Sequence, residues 1–391
     1  GKFKFLGHPI RGIKAMGSAF RAMLNEETAR AIENEIFSHP EFEQAKADRL
    51  HLTDEDSSMN KQEEFLVSRL AGNLGRGLKG AAFGATSGAI KGAVTGLAAG
   101  NPILGGAIGA TIGAGAGGLV GFDAFQRAGR VFMNKLRFDD YLTLKKSLTR
   151  TGTGTDEERR MIAMSINEAT GRGGLGPLEP SAVALGRMMF SPRYLASRFQ
   201  YPALHPLWGG SSRSRKIIAH EYARTLIGMG AYYGLLIGFL SLLRDDVKVE
   251  TDSRSSDFLK IRAGETRLDP LAGLQQVAVL LSRTRNGETK NKYGKVVPLR
   301  GPKAKGRDWY DMATDFARTK AHPTLGKAIN LLTGMDLAGK PVTATEELAG
   351  AVAPITYEDI YDALREHGLA EGGALGLLAF FGEGLQHYGK N

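Results

Sequence analysis

Eleven glycines recur at four-residue intervals on both sides of an Asn-Pro pair, and this ladder limits the folds open to the chain. The first run is Gly80, Gly84, Gly88, Gly92, Gly96 and Gly100, and the second is Gly105, Gly109, Gly113, Gly117 and Gly121. Residues four apart share one face of an α-helix, and Asn101-Pro102 is a strong turn signal. The spacing therefore predicts a glycine-zipper helical hairpin over 78–122.

A hairpin of this kind suits a membrane better than water. Each glycine in a helix interior costs about 1 kcal/mol relative to alanine, whereas small residues let helices pack closely in lipid. The arms Leu78–Gly100 and Ile103–Phe122 match a bilayer core of about 30 Å, although Lys91 is central in the first. A hairpin packed inside a larger protein assembly is the alternative. A flexible linker fits the strict spacing poorly.

A second apolar segment, Thr225–Leu243, has the length and flanks of a spanning helix. It contains no charged residue, four basic residues lie shortly before it, and Arg244-Asp245-Asp246 follows it. Gly230, Gly234 and Gly238 add a third four-residue stripe. The alternative is the central buried helix of a large bundle, which is also apolar on all sides.

The positive charge of the chain is concentrated beside these apolar segments. The chain of 391 residues has a net charge of +10, and residues 71–243 carry 20 Lys and Arg against 9 Asp and Glu. Such a surface suits anionic lipid headgroups or nucleic acid. Cysteine is absent, which excludes disulfides and thiolate metal sites. The chain begins with glycine instead of methionine, so we expect a fragment, a processed product or part of a longer polypeptide.

Residues 9–24 predict a basic amphipathic helix. Ile10, Ile13, Met16, Phe20 and Leu24 follow helical spacing. The commoner structure for such a pattern is a surface helix with its apolar face on the core. The alternative is a helix that lies in a membrane interface.

Catalytic motifs are not evident. His220-Glu221 begins like a zinc-protease helix, but Arg224 stands where the second histidine is required. Gly113, Gly115 and Gly118 formally match a dinucleotide fingerprint, but they lie inside the ladder without a preceding strand. We therefore expect no catalytic residues, no cofactor, no metal and no small-molecule substrate, and any catalysis would lie outside these residues.

A basic loop at 284–307 is a candidate for phosphate contact with DNA or lipid. Tyr293 and Trp309 add aromatic groups near it. A solvated loop is the commoner explanation of such a composition. The candidate residues are Arg285, Lys290, Lys292, Lys295, Arg300, Lys303, Lys305 and Arg307.

Several strings in the second half carry a family resemblance. They are ATGRGGLG (169–176), FSPRYLASRFQ (190–200), DSRSSDFLKIRAGETRLDPLAG (252–273), GETK with GKVVPLRG (287–301), and FGEGLQHYG (381–389). Together they resemble a large polyvalent-protein-associated domain of bacteriophages, over roughly residues 120–391. That module typically lies toward the C-terminal end of very long, multi-domain phage proteins.

The resemblance implies an internal virion protein that is ejected with the genome and helps to form a conduit across the host cell envelope. It implies other internal virion proteins, further copies of itself, membrane lipids and non-specifically bound phage DNA as partners. Its location would be the capsid core and then the host inner membrane. The family offers no catalytic residues to transfer. Its recurring charged residues are expected to form ion pairs that fix helix packing: Arg193, Arg198, Arg254, Asp257, Arg262, Arg267 and Asp269.

The sequence thus predicts a mainly α fold, a multi-helix assembly with few or no β-strands. Four regions are expected: a helical region at 1–77, the glycine hairpin at 78–122, a basic helical region at 123–243, and a soluble helical region at 244–391. Short strands are expected near 247–249 and 295–297. A helix is expected to begin at Asp269-Pro270. Two other functions remain open: a non-enzymatic, DNA-contacting module of the virion core, and an accessory region of a large virion enzyme such as an RNA polymerase.

Overall fold

The computed structural model describes residues 2–53, 127–150, 152–189, 191–271, 274–291, 294–299, 308–320, 330, 332 and 384–387. The glycine hairpin predicted over 78–122 lies outside these residues. The described part of the chain is mainly helical with few strands, which confirms the predicted fold class at that level.

The helices of the first half largely follow the apolar periodicity of the sequence. They are α1 (Lys2–Gly7), α2 (Pro9–Leu24), α3 (Glu26–Phe37), α4 (Phe42–Ala47), α5 (residues 127–149), α6 (Asp156–Ala169), α7 (Ala182–Met188) and α8 (Pro192–Gln200). Two short 3₁₀ turns occur at Gly176–Ser181 and His205–Leu207. The predicted helix at 9–24 is therefore confirmed with the same bounds.

The second half contains one long helix, two small sheets and two further helices. They are α9 (Ser212–Leu243), β1 (Lys248–Val249), β2 (Ile261–Ala263), β3 (Thr266–Asp269), α10 (Leu274–Asn286), β4 (Glu288–Lys290), β5 (Val296–Pro298), α11 (Trp309–Lys320) and β6 (Gly384–His387). The two short strands expected from the sequence are present as β1 and β5.

The chain divides into two compact units. The first comprises Phe3–Arg187 with Leu204–Thr225, and the second comprises Met188–Ala203 with Leu226–Asn391. Helix α9 contributes its residues up to Thr225 to the first unit and its later residues to the second.

The core of the first unit is formed mainly by α5 and α6. Helix α6 begins at a capping box, because the Thr155 hydroxyl accepts from the Glu158 N–H while the Glu158 carboxylate accepts from the Thr155 N–H. Ile162 and Ile166 are four residues apart and share one buried face. They belong to one apolar cluster with Phe138, Tyr141, Leu144 and Leu148 of α5 and with Ile36, Ala45 and Leu50.

The second unit contains a four-stranded antiparallel sheet in the order β1-β2-β3-β6. Strands β2 and β3 form a hairpin in which Ala263 pairs with Thr266 across a two-residue turn. Gly264 has a φ of +60° in this turn, a conformation that favours glycine. Ile261 and Leu268 pair across the hairpin and are both buried.

The expectation that Asp269-Pro270 opens a helix is wrong. Asp269 is the last residue of β3 and pairs with Gly384 of β6. Its side-chain oxygen accepts from the Leu271 N–H at 3.0 Å, which closes a local turn. Asp-Pro is typical both of a turn and of a helix start. The pairing of β3 with the distant strand β6 determines that a turn forms here.

The α5–α6 core yields a stability prediction. Replacing Ile162 by alanine should lower the free energy of unfolding by about 2–5 kcal/mol, because the fully buried side chain leaves a cavity. Chemical denaturation of the full chain measures this. Leu178→Ala, at an exposed site, should change the value by less than about 0.5 kcal/mol, and equal effects of the two variants would contradict the described core.

Candidate membrane site

The predicted apolar segment Thr225–Leu243 forms the second part of α9, which begins earlier than expected, at Ser212. Helix propensity of the preceding polar stretch and its tertiary contacts extend the helix by 13 residues. Among the described residues, α9 is the one helix long and apolar enough to cross a membrane. The 19 uncharged residues would extend roughly 28 Å at 1.5 Å per residue, close to the thickness of a bilayer core.

The start of α9 is tied to α6 through Glu158. The carboxylate of Glu158 accepts hydrogen bonds from the Arg213 guanidinium and the Ser211 hydroxyl. These bonds, with that from Arg213 foremost, lower the pKa of Glu158 to about 2. Glu158 thus caps α6 and also positions the first turn of α9.

A buried ionic cluster fixes the next two turns of α9. The Nζ atom of Lys4 donates to Glu221 Oε2 at 2.9 Å and lies 3.4 Å from Asp140 Oδ2. His8 Nε2 lies 2.7 Å from the same Glu221 oxygen, and Arg11 pairs with Asp140. Lys4, Asp140 and Glu221 are all buried. Because each buried charge has an opposite partner, the cluster holds α1, α5 and the first half of α9 in one arrangement.

The second half of α9 has an exposed apolar face. Leu226 and Ile227 are exposed, Leu235 keeps 72% of its surface accessible, and Leu242 keeps 85%. Only 17% of the most apolar 18-residue window of this helix is buried. The alternative expectation, a central buried helix of a large bundle, is therefore wrong for the described structure.

The glycine stripe of α9 lies on this exposed face. A side chain built at Gly230, Gly234 or Gly238 would meet no atom within 4 Å. The stripe is therefore not used for packing within the described part of the chain. With Ile227 and Leu235 beside it, the face has the alternation of small and large apolar residues that membrane helices use for close pairing.

The opposite face of α9 packs on the four-stranded sheet. Leu236 and Leu240 are buried in one cluster with Ile261, Ala263 and Leu268. This packing occupies one side of the helix, so α9 is bound to protein on one face and open on the other.

A polar contact reinforces the packing of α9 on the sheet region. The Tyr233 hydroxyl donates to the Leu259 carbonyl at 2.5 Å. Leaving the sheet would break this bond, and Tyr233 would need water or another partner in its place.

The candidate phosphate-contact residues are only partly described. Arg285 and Lys295 are exposed, whereas Lys290 Nζ lies 3.5 Å from carboxylate oxygens of both Glu250 and Asp252. Acidic partners of this kind neutralise a cation that would otherwise be available for phosphate. The remaining candidates lie outside the described residues: Lys292, Arg300, Lys303, Lys305 and Arg307.

The charged residues expected to fix helix packing mostly stabilise the sheet and its loops instead. Arg254 pairs with Asp252 and Glu288, each at 3.0 Å. Asp257 pairs with Lys260 at 2.9 Å and with Arg267 of β3 at 3.3 Å. The hairpin that brings them together was missed, although the alternation of buried and exposed residues in Ile261–Ala263 and the Gly264-Glu265 turn indicate it.

Within the ranges that the structure describes, no group of three or more His, Asp or Glu residues is placed to hold a metal ion. Comparisons with protein-family models, with curated proteins and with solved structures found no match to this chain.

The Glu158 contacts predict a pH-dependent contribution to stability. Glu158→Gln should lower the free energy of unfolding at pH 7 by about 2 kcal/mol, through loss of charge-assisted hydrogen bonds. Because the folded-state pKa of Glu158 is about 2, below the value of about 4.3 in an unfolded chain, the difference between wild type and variant should be full above about pH 5 and shrink toward pH 2.

Denaturation of both proteins across this pH range measures the effect. Glu157→Gln, at the neighbouring exposed position, is the matched control and should show little difference at any pH. A Glu158→Gln difference that stays constant from pH 7 to pH 2 would contradict the assigned ion pair.

Proposed function

We propose that this chain acts in a membrane, with α9 as its bilayer-entering helix, and that it is part of a bacteriophage internal virion protein delivered with the genome. The observation that supports the membrane role most directly is the exposed apolar face of α9. Without a membrane, this helix, with its uncharged stretch of 19 residues, exposes four large apolar side chains to water: Leu226, Ile227, Leu235 and Leu242.

Transfer to lipid favours the exposed face far more than the buried one. An apolar side chain that leaves water gains about 1.5–3 kcal/mol on full burial, which applies to Leu235 and Leu242. Leu236 and Leu240 are already buried on the sheet and gain little. The opposing cost is the exposure of Ile261 and Leu268 when the helix leaves the sheet. The free-energy difference between the docked and the inserted state of α9 is therefore a small difference between large opposing contributions.

This balance suits a protein that has to exist first without a membrane and then within one. We propose that α9 docks on the sheet in the virion and releases it on contact with the host envelope. The buried ionic cluster around Glu221 lies before Thr225, so it marks the polar end of the entering segment. The glycine hairpin at 78–122 would enter the same bilayer.

The phage assignment is supported by the resemblance of the strings between 169 and 389 to the polyvalent-protein-associated domain. Under this proposal, the partners are lipids, further copies of the chain, other internal virion proteins and passing phage DNA. The site of action moves from the capsid core to the host inner membrane. The role is a structural one, and any catalysis would reside in residues beyond this sequence.

Membrane entry by α9 is tested by flotation with vesicles of phosphatidylethanolamine and phosphatidylglycerol at a ratio of 3:1. The wild-type chain should float and resist both high salt and alkaline extraction. Ile227→Asp with Leu235→Asp should lower the extraction-resistant fraction at least about 100-fold, because each acid in the apolar segment costs about 2.5–3.5 kcal/mol.

Leu178→Asp with Leu281→Asp is the matched control, since it places two acids at exposed apolar sites outside α9. This control should float like the wild type. Full release of the wild type by salt, or equal loss in both double variants, would overturn the proposal.

The glycine stripe of α9 predicts self-association in the bilayer. Gly234→Leu should leave folding and flotation intact, because the added side chain meets open space. It should abolish the oligomers that chemical cross-linking traps in vesicles, because it separates helices that pack backbone to backbone. Leu226→Ile on the same helix should keep them. If the oligomers persist in Gly234→Leu, the glycine stripe does not mediate self-association and this prediction is contradicted.

A further inference from the structure

Helix α2 packs on the protein with the opposite face from the one its sequence favours. Its buried residues are Gly12, Ala15, Ser18 and Ala22. Its large apolar residues point away from the protein: Ile10 is 73% exposed and Ile13 is 61% exposed. Phe20 and Leu24 are exposed as well. The expectation of a surface helix with its apolar face on the core is therefore wrong.

Small residues explain how α2 holds its position without its large side chains. A side chain at Gly12 would lie 2.3 Å from the Phe5 ring, so α1 contacts the backbone of α2 directly. Ala22 is buried in a cluster with Ala29, Ile32 and Val131. Arg127 Nε donates to the Ala22 carbonyl at 3.0 Å. The small-residue face thus carries the buried contacts of α2.

The exposed face of α2 is continuous. Ile10, Ile13, Phe20 and Leu24 fall within one side of the helix, at intervals of three, seven and four residues. At 1.5 Å per residue the row extends roughly 21 Å.

The exposed charges on α2 itself are of one sign. Lys14 follows Ile10 by four residues and Arg21 precedes Leu24 by three, so both cations border the apolar row, and both are exposed. Helix α2 contains no Asp or Glu. Arg11, on the buried side, pairs with Asp140. The acids Glu26 and Glu27 first appear in the opening turn of α3, where the apolar row has ended.

We infer that the outward face of α2 is a binding site for an anionic lipid surface, in which the helix lies parallel to the membrane plane. Apolar side chains enter the acyl boundary and flanking cations contact lipid phosphates, as in interfacial amphipathic helices. Charge complementarity selects this occupant, because a basic border without acids matches an anionic headgroup layer. The site goes beyond the proposed function and does not require that α9 leave its sheet.

The absence of cysteine from the chain allows a single fluorescent reporter to test the site. Ile13→Cys carries an environment-sensitive nitrobenzoxadiazole label on the full chain. Vesicles of phosphatidylcholine with phosphatidylglycerol at 3:1 should shift its emission to the blue and increase its intensity. Vesicles of phosphatidylcholine alone should have a much smaller effect. The same label at Glu43→Cys, an exposed position of α4, should not respond.

Two further variants test the chemistry of the interaction. Lys14→Gln with Arg21→Gln should weaken binding to the anionic vesicles by about 30-fold, since each cation contributes to attraction by the surface. The response of the wild-type site should also weaken between 0.05 and 0.5 M salt. Ile10→Asn, at a position that is 73% exposed, should weaken binding with little change in the thermal unfolding temperature.

A reporter on α9 separates this inference from the proposed function. With the label at Leu235→Cys, a response at position 13 alone would support the α2 site and count against entry by α9. A response at position 235 alone would overturn the α2 site and leave the proposed function standing. A blue shift at position 13 that grows with protein concentration in the absence of lipid would identify a second copy as the occupant and would also overturn the inference.

Discussion

The first unit depends on a lysine that is buried between two carboxylates. Lys4 of α1 contacts Glu221 of α9 and lies near Asp140 of α5, and removal of these groups from water is costly unless each is paired. Because each buried charge needs its partner, the pairing holds α1, α5 and the first half of α9 together.

The second half of α9 has two unlike faces within one apolar sequence. Leu236 and Leu240 contact the sheet, whereas Leu235, Leu242 and the glycine stripe remain open. Mean hydropathy averages over both faces of a helix. By itself it therefore does not distinguish a helix buried in a protein core from one docked on a sheet or inserted in a bilayer. The docked state leaves enough apolar surface in water to make a bilayer a competitive environment. Helix α2 also has two unlike faces: its small residues form the buried contacts, and large apolar residues on its other side are exposed.

Local signals predicted the local structure well. The apolar spacing in α2 and the uncharged run in α9 both indicate helices that the structure contains. The predictions failed where a distant partner decides. Asp269 ends a strand because β6 pairs with β3, more than a hundred residues away in the chain. Arg254 and Arg267 stabilise this sheet region instead of helix contacts, and no local pattern distinguishes those roles.

The sequence by itself determined the periodicity of the helices, the length of the apolar run at 225–243 and the one-signed charge of α2, because these properties depend on residues close together in the chain. The tertiary structure alone decided which face of α2 and which face of α9 is buried. An amphipathic pattern predicts burial of the large apolar residues, but close approach of α1 to Gly12 and the ionic cluster at Asp140 turn the other side of α2 inward. Packing geometry and the pairing of buried charges outweigh local hydrophobicity there, since they depend on partners that lie far away in the chain.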